Sequence, residues 1–242
     1  MAEETAGGRI KREFDRMLEL GSVKTVYQPV VSIAGASTIG FEALSRGPIP
    51  DLESPAMLFQ LACEQSVSTR LDLLCCRRAI ENFSMHDQKD VLLFVNFLPE
   101  TLETGVLDIS QFTDWVLANG LVPSRLVLEV TEKEMRHPSR FYASVSRLRQ
   151  VGFRFALDDV GTGQSNLALL ADLVPEFIKL DLEFVQLTRI RPVRRMLVET
   201  LVQFAGQIGA MVVAEGIESH ADAEVFRLLG VPLAQGFLYR TA

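Results

Sequence analysis

The chain has 242 residues, of which 48% are hydrophobic, and a formal net charge of −7. This length suits one large α/β domain, and the acidic balance argues against binding to DNA or RNA polymers. The three cysteines do not form a spaced, even-numbered disulfide framework, which favours a reducing compartment and predicts a cytoplasmic location. No apolar run reaches the roughly 18 residues typical of a membrane span.

The N-terminal end of the chain does not resemble a signal peptide. Residues 1–8 are polar and acidic and contain no apolar core. We interpret residues 1–20 as a linker with a short helix and residues 21–242 as one domain. A regulatory domain is expected to precede this chain.

Strands and helices alternate along the chain. Short apolar segments predict eight strands, at 25–33, 38–45, 91–95, 126–130, 153–157, 177–180, 211–214 and 232–234, and the fifth alternates with period two at 153, 155 and 157. Apolar positions at helical spacing predict helices at 9–20, 54–65, 68–84, 109–119, 139–150, 166–173, 193–208 and 219–229. This order predicts a mainly parallel sheet closed into a (β/α)8 TIM-like barrel, with an open doubly wound sheet as the alternative.

The first two predicted strands differ from the others. Only the short turn at 34–36 joins them, which is too short for a parallel crossover, so we predict an antiparallel first strand. Pro29 lacks a backbone hydrogen-bond donor, which predicts that the first strand is either an edge strand or an irregular one.

One predicted strand runs directly into two adjacent carboxylates, Asp158 and Asp159, and then into a glycine-rich turn. Two neighbouring carboxylates resist joint ionisation unless a cation lies between them. Gly161 and Gly163 allow the backbone to turn sharply and approach a ligand. The alternative is a helix N-terminus capped by Asp159 or Thr162, and this stretch alone does not decide between a cap and a site.

Polar residues recur at the C-terminal ends of the predicted strands. In a barrel these ends converge on one face, where active sites are built. The set comprises Glu42, Asn96, Glu129, Asp158, Asp159, Lys179, Glu215 and Gln235. Each residue has a structural alternative, such as an ion pair with Asp158 or Asp181 for Lys179, but the joint recurrence favours a functional site.

The chemistry of this set indicates which metal it would hold. Carboxylates with one amide oxygen are hard ligands that suit Mg²⁺ or Mn²⁺, and the three histidines lie outside the set, which argues against zinc. The formal charge of the set is −4, so two divalent cations would neutralise it and allow a phosphate group to enter. Two cations about 3.5–4 Å apart are the arrangement used for in-line phosphodiester cleavage.

With these residues the sequence resembles the EAL domain family of cyclic di-GMP phosphodiesterases, from about residue 20 to the C-terminus. The matching segments are 27–31, 41–46, 95–96, 128–132, 158–163, 178–181, 214–218 and 235–237. Because eight segments match in the family's order, the resemblance is specific.

The resemblance implies hydrolysis of cyclic di-GMP to linear pGpG by in-line attack of a water molecule activated by two metal ions. The implied metal ligands are Glu42, Asn96, Glu129, Asp158, Asp159 and Glu215. The implied substrate contacts are Gln28, Glu42, Leu44, Arg46, Asn96, Asp159 and Gln235. The implied catalytic residues are Glu42, Lys179, Glu215 and Gln235. The resemblance leaves open whether Lys179 or Glu215 is the base.

The resemblance also implies a homodimer, whose contact is coupled to the metal site through the loop at 160–167. The residues implied in this loop or in its support are Glu132, Gly161, Thr162, Gly163 and Glu218. The sequence departs from the family pattern at Val160 and Gln164, where aromatic residues are usual, and at Leu182 and Arg191. These departures concern loop packing and base recognition and leave the metal set intact.

Two other functions are alternatives to a phosphodiesterase. A receptor domain would bind cyclic di-GMP without cutting it, but such receptors in the family have typically lost metal or loop residues that are all present here. A barrel glycosidase with two carboxylates would not explain the Asp pair, Asn96 or Lys179. Metal-dependent phosphodiester hydrolysis is therefore the leading hypothesis.

Overall fold

The computed structural model describes residues 6–35, 37–83, 91–131, 135–161 and 167–239. Its eight strands close into a barrel in sequence order. The strands are β1 (Lys24–Ser32), β2 (Thr38–Arg46), β3 (Leu92–Asn96), β4 (Leu126–Val130), β5 (Arg154–Val160), β6 (Phe177–Leu180), β7 (Met211–Ala214) and β8 (Leu233–Gln235). The predicted (β/α)8 barrel is confirmed.

Helices cover the outside of the barrel. In the described ranges they are α1 (Ala6–Leu20), α2 (Pro55–Glu64), α3 (Ser68–Phe83), α4 (Pro99–Glu103), α5 (Ile109–Ala118), α6 (Pro138–Gln150), α7 (Leu167–Leu173), α8 (Leu182–Thr188), α9 (Pro192–Ile208) and α10 (His220–Leu228). No helix in the described part of the chain has both the length and the apolarity needed to cross a bilayer.

Strand β1 is antiparallel to both of its neighbours, β2 and β8, and the remaining neighbouring pairs are parallel. The prediction of an antiparallel first strand is confirmed, and the prediction of an edge strand is wrong because barrel closure removes the edges. The alternative of an irregular strand is confirmed by a register shift between Val30 and Val31. The pairing of β1 with β8 begins at Val30, directly after Pro29. The backbone N–H that Pro29 lacks is therefore not needed for this pairing.

The inside of the barrel is filled by alternate side chains of the strands. They form a buried apolar cluster of Val30, Leu92, Phe94, Val127, Ala156, Phe177, Val213 and Leu233. The rings of Phe94 and Phe177 meet edge to face with centroids 5.0 Å apart. Because side chains alternate along a strand, the residues between these positions point outward to the helices and form the larger core.

Helix α1 packs beside the barrel in a smaller core of its own. Phe14 and Met17 are buried there with Leu52, Leu58 and Leu71. The helix begins at Ala6, three residues before the predicted start. The domain boundary at residue 20 stays a prediction.

The two short helices α4 and α8 were not predicted. They have five and seven residues, too few to show an apolar repeat. Pro99 is the first residue of α4, a position that suits proline. Asp181 caps α8, because its Oδ1 accepts from the backbone N–H of Glu183 at 2.8 Å. The side chain of Asp181 is therefore a cap, and the structure records no ion pair between it and Lys179.

Candidate functional site

A polar layer lies directly above the apolar layer inside the barrel. The period of two places Asn96 two residues after the inward-facing Phe94, and Lys179 two residues after Phe177. The complete layer comprises Gln28, Glu42, Asn96, Glu129, Asp158, Lys179, Glu215 and Gln235. Because strands β2 to β8 all run towards this face, the predicted residues meet at one mouth of the barrel. Glu42 differs from the others, because β2 continues past it to Arg46.

The ammonium of Lys179 lies at the centre of four carboxylates. Its Nζ is 2.8 Å from Oε1 of Glu129 and 2.8 Å from Oε1 of Glu215. It is 3.3 Å from Oε2 of Glu42 and 3.4 Å from Oδ1 of Asp158. The lysine side chain is only 1% exposed, so these contacts replace its hydration.

Three amide side chains border the cluster, and two of them hold Glu42. Asn96 donates from Nδ2 to Oε1 of Glu42 at 3.0 Å, and Gln235 donates from Nε2 to Oε2. The same Nε2 donates to Oε1 of Gln28 at 3.0 Å. Gln28 and Glu42 are opposite each other in the ladder of β1 and β2. Glu42 is therefore oriented by two amides and by the Lys179 ammonium.

Lys179 and Glu42 stay charged in this arrangement. Burial alone lowers the pKa of the Lys179 ammonium, but the surrounding carboxylates raise that pKa well above its ordinary value. Burial raises the pKa of the Glu42 carboxyl, but the ammonium and the donated hydrogen bonds outweigh burial, so the pKa lies below its ordinary value.

The other three carboxyl groups in contact with Lys179 hold their protons more tightly than exposed carboxyl groups do. Burial raises the pKa of Glu129 well above its ordinary value, and repulsion by Glu42 adds to the effect. Burial also raises the pKa of Asp158, and it raises the pKa of Glu215 to about 8 against the attraction of Lys179. One ammonium does not balance four carboxylates, so protons or added cations must supply the remaining positive charge.

The donor set fits hard divalent cations. Within the described ranges no three His, Cys, Asp or Glu side chains are grouped as ligands around one point, and the four carboxylates contact Lys179 instead. Oε2 of Glu129 is buried and accepts from no N–H or hydroxyl group in the described ranges, so it needs either a proton shared with a neighbouring carboxylate or a cation. The excess of carboxylate charge and this unpaired oxygen both match a divalent cation bound by oxygen ligands.

A β-bulge presents the Asp pair. The register between β5 and β6 shifts between Leu157 and Val160, which leaves one extra residue in β5. Asp159 has a φ of 59°, and its N–H donates to Oδ1 of Asp158 at 2.9 Å. The strand therefore continues through the pair to Val160, beyond its predicted end at residue 157. The bulge turns Asp158 into the buried cluster and leaves Asp159 half-buried at the rim.

The remaining predicted site residues lie farther from Lys179 or outside the described ranges. Leu44 lines a cavity next to Glu42. Arg46 is the last residue of β2 and donates to the backbone oxygen of Ser45 at 2.9 Å. Glu218 is exposed, and Gly161 follows the bulge with a φ of 108°. Three further predicted residues lie outside the described residues: Glu132, Thr162 and Gly163.

A cavity of about 380 Å³ adjoins the cluster, and its buried acid was missed from the sequence. Its lining includes Glu42, Leu44, Pro55, Phe59, Asp72, Asn96 and Glu129. Asp72 is 2% exposed, and its Oδ2 accepts from the N–H of Leu98 at 3.1 Å and from the hydroxyl of Thr101 at 2.6 Å. The sequence does contain a signal for Asp72, because this acid lies within the apolar stripe of α3, which faces the core and not the solvent.

Fold and site together define a (β/α)8-barrel protein with an acidic, lysine-centred layer at the C-terminal mouth. The profile of the EAL domain matches residues 11–242, and the chain belongs to the EAL domain family. The family predicted from the eight motif segments is confirmed.

Several relatives carry names that describe their activity. The probable cyclic di-GMP phosphodiesterase PdeB of Escherichia coli (strain K12) is 33% identical over 226 residues, which cover 89% of this chain and 42% of that protein. The cyclic di-GMP phosphodiesterase PA2567 of Pseudomonas aeruginosa is 30% identical over 88% of this chain and 37% of that protein. The chain thus spans less than half the length of these relatives.

Solved structures show the same fold. BlrP1 of Klebsiella pneumoniae, in a complex with calcium and cyclic di-GMP, matches with a TM-score of 0.81 and 31% identity, over 89% of this chain and 54% of that one. The same protein in a complex with manganese and cyclic di-GMP also has a TM-score of 0.81. These neighbours bind divalent cations together with the cyclic dinucleotide.

Proposed function

We propose that this chain is a metal-dependent phosphodiesterase that hydrolyses cyclic di-GMP to linear pGpG. The observation that carries the proposal is the buried cluster of four carboxylates around Lys179 at the barrel mouth. Membership of the EAL domain family and the names of the relatives support cyclic di-GMP as the substrate.

Two divalent cations, Mg²⁺ or Mn²⁺, are part of the proposal. The residues that would hold them are Glu42, Asn96, Glu129, Asp158, Asp159 and Glu215. Bound cations would neutralise the phosphodiester and lower the pKa of a water molecule towards neutrality. The calcium and manganese complexes of BlrP1 support the use of divalent cations.

The protein's own groups would position the phosphate and move the proton. Of the two candidate bases, Lys179 is held in its protonated form by the carboxylates around it. Glu215 has a pKa raised to about 8, and its side chain is 21% exposed, the most accessible of the four acids in contact with Lys179. Cations held by Glu215 would lower this pKa, so the raised value does not identify the base. We therefore assign orientation of the attacking water to Lys179 and cation binding to Glu215.

Substrate contacts would come from the amides at the rim. Gln28 lies next to Glu42, and Nε2 of Gln235 donates to its Oε1, so the NH₂ group of Gln28 is oriented to donate to a phosphate or ribose oxygen. Gln235 uses both N–H groups on Glu42 and Gln28, so it would contact the substrate after releasing one of these two bonds. Arg46 ends β2 near the same rim and has a guanidinium suited to a phosphate. Leu44 would pack against the nucleoside from the adjoining cavity.

The proposal is tested by incubating the purified chain with cyclic di-GMP and separating the products by ion-exchange chromatography. Mn²⁺ or Mg²⁺ is expected to give pGpG, and a chelator is expected to stop the reaction. Ca²⁺ is expected to support binding with little hydrolysis, because its longer and looser coordination positions water poorly. Binding without turnover in both Mn²⁺ and Mg²⁺ would overturn the proposal in favour of a receptor domain.

We also infer that the domain forms a homodimer through α9. One side of this helix buries Val198 and Ala205 against the barrel. The other side exposes Val193, Met196 and Leu197 by 77%, 65% and 54%. A helix that is apolar on both sides needs a second partner for its outer face, and a second copy of the same face meets that need symmetrically.

The proposal also covers the rest of the protein, its location in the cell and its partners. The greater length of the relatives supports a further domain in the whole protein, which we propose to be regulatory and N-terminal to this chain. A cytoplasmic location is supported by Cys75 and Cys76, which are buried as free thiols. The net charge of −7 supports the absence of DNA or RNA polymers among the partners.

A further inference from the structure

Two turns that carry proposed cation ligands lie on either side of β6 at the barrel mouth. Asp158 and Asp159 precede the turn after β5, and Glu215 begins the turn after β7. Oδ1 of Asp158 and Oε1 of Glu215 are 3.4 and 2.8 Å from Nζ of Lys179, which belongs to the strand between them. Because β5 and β7 are not neighbours, the separation of these acids depends on what lies between the two turns.

The chain that follows β6 is bonded to both turns through its backbone. The N–H of Asp181 donates to the carbonyl oxygen of Val160, directly after the acid pair, at 3.1 Å. The carbonyl oxygen of Leu180 accepts from the N–H of Glu215, also at 3.1 Å. Helix α8 begins at the next residue, Leu182. Its first turn therefore lies between the acid pair and Glu215.

The side chains of this first turn pack against both sides. A Cβ on Gly161 would lie 2.5 Å from Cγ of Phe184. A Cβ on Gly216 would overlap Cδ1 of Leu182 and lie 3.0 Å from its Cγ. Gly216 has a φ of 65° and directly follows Glu215. The turn beside the acid pair therefore contacts Phe184, and the turn beside Glu215 contacts Leu182.

The far end of α8 is fixed to the body of the domain. Val185 and Thr188 are 1% and 0% exposed. Arg189 follows the helix, and its Nε lies 2.7 Å from Oδ1 of Asp222 in α10, whose side chain is 6% exposed. A short helix that is buried along one side and tied at both ends can hold the two turns at a constant spacing.

We propose, on the basis of the cation binding proposed above, that α8 is a spacer between the acid pair and Glu215, and that Leu182 is a positioning residue for Glu215. Oxygen ligands must be placed closely, because Mg²⁺ requires oxygens at about 2.0–2.1 Å in near-octahedral geometry. Three of the six proposed ligands, Asp158, Asp159 and Glu215, flank α8. A cation on this side of the mouth therefore depends on the spacer.

The other three proposed ligands provide an internal reference. Glu42, Asn96 and Glu129 come from β2, β3 and β4, on the other side of the mouth. A cation held mainly by these residues is expected to be insensitive to Leu182. The spacer thus predicts that one cation site changes and the other does not, which a general loss of stability would not produce.

The discriminating variant is Leu182→Ala, which removes the contact with Gly216. Mn²⁺ binding, followed through the electron paramagnetic resonance of the free ion, gives a dissociation constant for each site. One constant is expected to rise by about 10- to 100-fold and the other to stay unchanged. Leu182 is 41% exposed, so the thermal midpoint is expected to stay close to that of the wild type. Excess Mn²⁺ is expected to restore turnover.

Two further variants control this measurement. Leu117→Ala removes the same atoms from a leucine of α5 that is 48% exposed, and both constants are expected to stay unchanged. Leu182→Met keeps the volume and is expected to retain both wild-type constants. Unchanged constants in folded Leu182→Ala, or an equal rise of both, would overturn the spacer. Should Leu182→Ala fail to fold, Leu182→Val is expected to raise the same single constant by less, and no change would contradict the inference.

Two results separate this inference from the proposed function. Wild-type protein that binds two Mn²⁺ ions and cleaves cyclic di-GMP, with the same two constants in Leu182→Ala, would refute the role of α8 alone. Wild-type protein that binds fewer than two Mn²⁺ ions and leaves cyclic di-GMP intact would refute the proposed function and this inference together.

Discussion

Lys179 shows how the charge of one buried residue depends on its neighbours. Its ammonium is 1% exposed and lies within 3.4 Å of four carboxylates. A lone buried ammonium would lose its proton, but here the surrounding negative charge raises its pKa. One ammonium balances only part of the charge of four carboxylates, which is the physical reason to expect added cations.

Glu42 is expected to be indispensable for turnover, because it contacts the ammonium and both amides. Replacement Glu42→Gln keeps the shape but removes one negative charge and one cation-binding oxygen. With Mn²⁺ and saturating cyclic di-GMP, kcat is expected to fall by more than about 100-fold. The matched control is Glu224→Gln, which breaks only an exposed pair with Arg227. A kcat near that of the control would show that Glu42 is not a ligand.

Asp72 is expected to make stability depend on pH. Burial raises the pKa of its carboxyl to about 7, above the value of an exposed aspartate. The folded state thus holds the proton more tightly, so stability falls as pH rises from about 4 through 7. Relative to Asp72→Asn, the wild type is expected to lose on the order of 3–4 kcal/mol over this interval.

Urea unfolding of both proteins at several pH values from 4 to 8 measures this difference. Because the other titrating groups are common to both chains, subtraction isolates the contribution of Asp72. Parallel pH profiles for wild type and variant would mean that Asp72 titrates normally in the folded protein.

Most residues of the site could be predicted from the sequence, but their arrangement around Lys179 could not. Strand-end acids such as Glu129 stand out because buried strands rarely carry charge. That Lys179 would contact four of them could not be predicted, because the register between distant strands is set by barrel closure. Asp72 was missed because an acid in a helix is usually on a solvated face.

At the scale of elements, α8 connects the Asp bulge to the outer helix α9. A Cβ on Gly161 would lie 2.5 Å from Cγ of Phe184, so the turn after the bulge packs directly on α8. The Arg194 guanidinium of α9 lies 5.0 Å from the centre of the same Phe184 ring. The Phe184 ring therefore contacts both the turn beside Asp159 and the outer helix α9.

Gly161→Ala is expected to destabilise this connection. The φ of 108° is unfavourable for alanine, and the added methyl group would meet the Phe184 ring. The free energy of unfolding is expected to fall by about 2–3 kcal/mol, with loss of turnover because the bulge moves. Urea unfolding and the cyclic di-GMP assay measure the two effects.

Gly120→Ala is the matched control for the backbone conformation. Gly120 has a φ of 77° and no heavy atom within 4 Å of an added Cβ, so this variant tests conformation without a clash. It is expected to lose about 1 kcal/mol and to keep full activity. Equal losses in the two variants would remove the contact with Phe184 from the explanation.

Helices and strands could be predicted where their apolar pattern in the sequence is long enough to be recognised. Long helices such as α9 repeat their apolar period several times, and the strands appear as short apolar runs between turn residues, so both are visible in the sequence. The bulge at Asp158 and Asp159 carries no such signal, because an extra residue leaves the apolar pattern on either side unchanged. Helix α8 is too short to show a period at all.

At the scale of the whole molecule, barrel closure brings together the first and the last strand. Gln28 and Gln235 are 207 positions apart and share a hydrogen bond. Eight strands were predictable from the sequence, but β1 was predicted to be an edge strand or an irregular one. Its pairing with β8 depends on closure of the barrel, which local composition does not reveal. A closed barrel gathers single polar residues from all strands into one layer, and this layer is the site.

The exposed face of α9 is expected to mediate dimerisation. Met196→Glu would place a charge in the centre of this face, and sedimentation velocity is expected to show a shift from dimer to monomer. Gln150→Glu adds the same charge at an exposed position of another helix, α6, and is expected to leave the dimer intact. A wild-type chain that sediments as a monomer at micromolar concentration would contradict the inferred dimer.

The most direct measurement is anomalous diffraction from crystals grown with Mn²⁺. Two manganese peaks are expected at the barrel mouth, bound by the carboxylates of Glu42, Glu129, Asp158 and Glu215, with loss of some of their contacts to Lys179. Crystals that bind cyclic di-GMP but show no manganese among these four carboxylates, with the ammonium still in contact with all of them, would contradict it.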